Sequence, residues 1–185
     1  MEHQGRGIST GCCSNKPIIE SLCKLPHHII KNQHQDGLAQ LVLHDLAHKN
    51  AFGFKRATFL IDNPDFDHLV GAAGFCDKEC HLHDEDIWNT PPKFFKDMEN
   101  GHYHNDIRKI CEPSLRRQNV DLSDARNVKR LATCSGIENP SFLTWEMKHG
   151  NHGILLFDTG EKPLEVSQCS LLEQAAALLS MCTFF

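Results

Sequence analysis

Apolar residues recur at helical spacing most clearly from residue 38 onward. Leu38, Leu41, Val42 and Leu46 fall on one side of a 3.6-residue repeat, and Ala39 and Leu43 widen the stripe. Asp36 or Gly37 opens this helix and Asn50 closes it. Upstream, "PIIESLCKL" predicts a short helix with Pro17 in its first turn, ending before Pro26. Downstream, Thr58 to Ile61 reads as a buried strand or a helix end, because so short an apolar run carries no decisive period. "DNPDFD" is turn chemistry, and "GAAG" marks a tight backbone approach or a loop. Further helices are predicted in "PPKFFKDMEN", ending before Gly101, in "NDIRKICEPSLRR", and in "SDARNVKRLATCSG", capped by Ser123 and stopped by Gly136. "SFLTWEMKHGNHGILLFD" reads as a β-hairpin, since asparagine and glycine at its centre tolerate the positive φ of a tight turn. The alanine- and leucine-rich tail "SLLEQAAALLSMCTFF" closes the chain as a helix.

These elements add up to an α+β fold: a mainly helical single domain over residues 17–185, with a β-hairpin or small antiparallel sheet near the C-terminal third, after a flexible N-terminal segment at 1–16. A length of 185 residues suits one domain, and no internal repeat or long linker divides it. The formal charge of −5 argues against a general nucleic-acid binder, because that role needs an excess of lysine and arginine. Arg116 to Arg130 is locally basic and reads as a solvated helix face. No apolar stretch matches a membrane span or the core of a signal peptide, so the expectation is a cytoplasmic protein without membrane contact. Its nine cysteines are then expected as reduced thiols, with Cys23, Cys111, Cys134, Cys169 and Cys182 as core residues.

Histidine changes the picture. Thirteen in 185 residues is about three times ordinary usage, and imidazole is the commonest metal ligand and proton shuttle. His44 and His48 stand four apart, so an uninterrupted helix sets them one turn from each other, within reach of one ion. "CDKECHLHDED" gathers Cys76, Cys80, His81, His83, Asp84, Glu85 and Asp86, a mixed soft and hard donor set. His149 and His152 flank the expected hairpin turn, beside Glu146 and Lys148. In "GHYHND", His102, His104 and Asp106 read more simply as a polar helix cap.

The stretch "LAQLVLHDLAH" resembles the His-Asp helix of HD-type phosphohydrolases, in which adjacent His and Asp join a distant His and a distant Asp on metal ions. Here His27 and His28 stand upstream, and the distant aspartate is Asp121, Asp124 or neither. "LPHHII" with His48 is loosely similar to His-Asn-His nucleases, with Gln40 nearest the place of the asparagine. The pattern around His44 also differs from the His-Glu-x-x-His zinc proteases, because Asp45 has too short an arm for their general base. The expectation is a metal-binding protein, zinc or iron(II), in which His44 and His48 meet His149 or His152, or His83 or Asp84. Asp45 or Glu146 would then orient a metal-activated water to hydrolyse a small-molecule or phosphorylated substrate. The alternatives are a non-catalytic, metal-stabilised interaction module with a closed coordination shell, and a metal-dependent nuclease or phosphohydrolase. Oligomeric state leaves no mark in the pattern.

Overall fold

The computed structural model describes residues 15–80 and 87–182. Helices α1 (Lys16–Lys31), α2 (Leu38–Ala47), α3 (Pro91–Met98), α4 (His102–Arg108), α5 (Ala125–Cys134) and α6 (Val166–Ala176) surround strands β1 (Arg56–Asn63), β2 (His68–Cys76), β3 (Cys111–Glu112), β4 (Ser141–Glu146) and β5 (His152–Asp158). The strands form one antiparallel sheet in the order β3-β2-β1-β5-β4. This corrects the predicted architecture. The class is mixed α+β, but the sheet is large and central rather than a small one near the C-terminal third. The physical reason is burial on both sides: β1 and most of β2 are covered on each face, so neither shows the apolar–polar alternation of a half-exposed strand.

Alternation along β1 divides the core in two. Ala57, Phe59 and Ile61 point to one face, where with Ala73, Phe75, Leu155 and Phe157 they pack on α1, α2, α3 and α6 through residues such as Leu25, Leu41, Phe94 and Leu172. Leu60 points to the other face, joining Leu69, Ile154 and Leu156 against Leu115 and the α5 residues Val128 and Leu131.

The "GAAG" stretch lies inside β2, and its glycines serve a close approach. Gly71 and Gly74 sit opposite Leu60 and Thr58 in the β1 register, hence on the second face, where α4 crosses the strand. A methyl group on Gly71 would overlap the Ile107 carbonyl oxygen, and one on Gly74 would lie 2.8 Å from Ile107 Cγ1. α4 is held there by Tyr103, whose hydroxyl donates to the Ser135 carbonyl at 2.8 Å and lies 2.8 Å from Thr58 Oγ1. Burial, the largest influence, pushes the Tyr103 hydroxyl up to about 12, so it remains a donor at any working pH. At the start of α4 the Glu79 carboxylate accepts the Tyr103 backbone N–H at 2.9 Å.

Several boundaries differ from expectation. α1 runs through Pro26 to Lys31 because Ile18, Leu25 and Ile29 continue one buried stripe beyond it. The stretch expected as one helix after Asn105 is helical only to Arg108 and then pairs with β2 as β3. Asp124, rather than Ser123, caps α5, its carboxylate accepting the Arg126 N–H at 2.9 Å. Of the five cysteines expected in the core, Cys23, Cys111, Cys134 and Cys169 are exposed, because each falls on the solvent side of its element; Cys182 is buried. The expected flexible start lies largely outside the described residues. Among those described, no helix is long and apolar enough to cross a membrane.

Candidate functional site

α2 is buried around nearly its whole circumference, which takes His44 out of solvent with it. His44 retains only 4% exposure, and its ring meets Phe75 and Phe94 edge-on, at centroid distances of 4.9 and 4.8 Å. Its Nδ1 lies 3.9 Å from Sγ of Cys80, which retains 6% exposure just beyond the end of β2. Two donors on one tetrahedral zinc ion, with bonds of about 2.3 Å to sulfur and 2.0–2.1 Å to nitrogen, stand about 3.6 Å apart. The His44–Cys80 separation is close to that.

His48 is the C-cap of α2, its backbone N–H still donating to the His44 carbonyl at 3.0 Å. Phe52 and Phe54 turn back to be buried, and their N–H groups bond the carbonyls of Leu46 and Ala47, which ends α2 at Ala47. His48 then takes an extended conformation, φ −57° and ψ 152°, with its Nδ1 accepting the Asn50 N–H at 3.3 Å. Its imidazole is thereby engaged with the turn that follows α2.

Asp45 is engaged away from His44. Trp88 Nε1–H donates to its Oδ2 at 3.1 Å and the Ser21 hydroxyl donates to its Oδ1 at 3.4 Å, while His28 stacks on Trp88 at 4.9 Å. Burial raises the Asp45 carboxyl above its ordinary range; the Trp88 hydrogen bond and the neighbouring His28 pull the other way. The arrangement ties α1, α2 and the segment ahead of α3 together.

The remaining expected residues lie at one end of the sheet. His149 occupies the turn between β4 and β5 at φ 60°, and is exposed. His152 opens β5, directly opposite Asp62 on β1 and Glu146 on β4, so the three share the second face. Arg116 clasps two of them: its backbone N–H donates to Asp62 Oδ2 at 3.1 Å, and its guanidinium donates to His152 Nε2 at 2.6 Å. That contact leaves the imidazole proton on Nδ1, which is buried without a partner, as is Oδ1 of Asp62, a residue only 1% exposed. His152 thus faces away from the layer that holds His44. His83 and Asp84 lie outside the described residues.

Among the described residues, no group of three or more His, Cys, Asp or Glu side chains is placed to hold a metal ion. Neither a family model nor a curated protein matches the chain. The functional reading accordingly stands on geometry. Sequence reasoning overlooked the pairing of His44 with Cys80, and it overlooked Asp62 and Arg116. For Asp62 a signal existed, since a carboxylate closing the buried run "TFLID" requires a donor across the chain.

A further histidine is perturbed on the second face. Gly74 N–H donates to His104 Nδ1 at 3.2 Å, and burial, aided by the charge of Arg108, pushes the imidazole down to about 4. The unfolded chain takes up this proton near pH 6.5 while the folded chain does not, so stability falls as pH drops from 6.5 to 4, by on the order of 2–3 kcal/mol. Asp45, with its raised carboxyl, contributes with the opposite sign. Urea unfolding of the native protein and of His104→Asn, at pH 7 and pH 4.5, isolates the imidazole. The native protein is expected to lose more stability between the two conditions, and equal losses would reject this assignment.

Proposed function

We propose that this chain is a metal-binding domain in which one ion, zinc in preference to iron(II), is held between His44 and Cys80 and stabilises the fold. The observation that carries the reading is the 3.9 Å separation of imidazole Nδ1 and thiol Sγ, both buried between the sheet and the helices. A thiolate and an imidazole are the donor types zinc prefers, and the metal would deprotonate the thiol on binding. Burial of both donors favours a closed, structural form over a catalytic one, and a tetrahedral shell would then need two further ligands beyond those found among the described residues. Hydrolysis requires a coordination position open to substrate and a base beside it, whereas Asp45 is engaged by Trp88 and Ser21, and Glu146 sits on the opposite face of the sheet. The support therefore runs to a metal-stabilised interaction module ahead of a metal-dependent hydrolase.

Elemental analysis of the protein purified in zinc-containing buffer tests the proposal, with His44→Ala, Cys80→Ser and, as a control, His152→Ala. The native protein and the control are expected to carry one equivalent of zinc. Either site variant is expected to lose it and to melt at lower temperature, as the native protein does after chelation. Cobalt substitution should add a thiolate-to-metal absorption band that disappears in Cys80→Ser. A zinc-free native protein, or site variants that fold and keep their metal, would end the proposal.

A further inference from the structure

A separate cavity of about 720 Å³ opens beside β2 near its short partner β3, between the α1–α2 connection and the end of α4. Its volume lies within the range of small-molecule sites, roughly 300–1,000 Å³. Ile61, Val70 and Ala72 supply an apolar floor, the loop residues His34 and Asp36 one wall, and Arg108 another. The Arg108 guanidinium reaches the Ala72 carbonyl at 3.4 Å, an anchor that engages only part of its donor fork. Among the described residues, neither Arg108 nor Asp36 has an oppositely charged side chain within 4.0 Å, although both line the same cavity.

We propose that this cavity binds a small zwitterion with a short apolar body, of the chemical class of a free apolar amino acid. The carboxylate would take the open donors of Arg108, the ammonium would meet Asp36, and the side chain would lie on Ile61, Val70 and Ala72. The logic is complementarity. An anion alone leaves Asp36 opposing it, a cation alone leaves Arg108 opposing it, and a purely apolar ligand leaves both charges facing a desolvated neighbour. Both charged side chains stand at the rim, so the ligand meets them without either being stripped of all its water beforehand. Neither His44 nor Cys80 lines this cavity, so this proposal and the metal reading stand or fall separately.

Calorimetric titration of the full chain with leucine, N-acetylleucine, leucinamide and isopentylamine provides the test, repeated on Arg108→Gln and Asp36→Asn. Both substituted side chains are exposed, so the variants are expected to fold. Leucine is expected to bind the native protein at least ten-fold more tightly than either the acetylated or the amidated form. In Asp36→Asn the penalty for acetylation should disappear, and in Arg108→Gln the penalty for amidation should disappear, while each variant binds leucine at least ten-fold more weakly than the native protein. Absence of leucine binding at millimolar concentration would overturn the proposal. So would equal binding of all four compounds, or penalties that persist unchanged in the variants.

Discussion

Replacing Gly71 with alanine is expected to destabilise the protein by about 3 kcal/mol or more, one of the largest losses available from a single methyl group. The added carbon would collide with the Ile107 carbonyl oxygen, which is backbone and cannot rotate aside. α4 must therefore move away from β2 as a unit, which loosens the Tyr103 hydrogen bonds to Ser135 and Thr58 and uncovers Ile107, now 1% exposed. Gly74→Ala is the internal comparison. Its nearest obstacle is a side-chain carbon, Ile107 Cγ1 at 2.8 Å, with the His104 Cα farther off at 3.2 Å, so side-chain adjustment absorbs part of the strain and the loss should be about half as large. Urea denaturation midpoints of the two variants measure this, and equal effects would contradict the backbone clash.

Phe94→Ala is expected to remove about 3–5 kcal/mol, the usual range for deleting a fully buried aromatic ring. Phe94 is 1% exposed, and besides filling the first-face core it meets the His44 ring at 4.8 Å and the Phe95 ring at 5.4 Å. Truncation opens a void beside the imidazole, so His44 should lose its fixed orientation along with the lost packing. Thermal unfolding and the chemical shifts of the His44 ring protons report the two consequences. A loss below 1 kcal/mol would mean that α3 is not packed on the sheet as described.

Part of this architecture could be read from the chain alone. α2 announced itself because Leu38, Leu41, Val42 and Leu46 repeat at the helical period, and the β4–β5 hairpin did so through its polar, glycine-containing centre, although the positive φ values fall on His149 and Gly150 and not on Asn151, which is extended at φ −70°. β1 stayed ambiguous between strand and helix end, and β2 stayed hidden, for the opposite reason: with both faces covered, "TFLI" and "LVGAAGF" show no alternation, and the glycines that admit α4 imitate a loop. Pro26 misled because local propensity favours a stop there, whereas burial of Leu25 and Ile29 carries the helix onward. At the candidate site His44 was visible and its neighbour was not. Cys80 reaches it through the path of β2, a relation that residue types and spacing in a single chain do not encode. His48, the companion expected for it, stands at the C-cap of α2, where its Nδ1 accepts the Asn50 N–H.

The central place of β1 also governs how the chain can be made. β2 follows it at once and can zip onto one side, but the other side waits for β5, whose register runs from His152 opposite Asp62 to Asp158 opposite Arg56. Until the ribosome has released that late segment, Phe59, Leu60 and Ile61 belong to a strand with one raw flank, able to pair with any other nascent polypeptide. Closure across so long a span is slow compared with local zipping. The nascent protein therefore passes through a window in which its central strand lacks one neighbour, and a message truncated before Gly153 would leave the product in that window permanently.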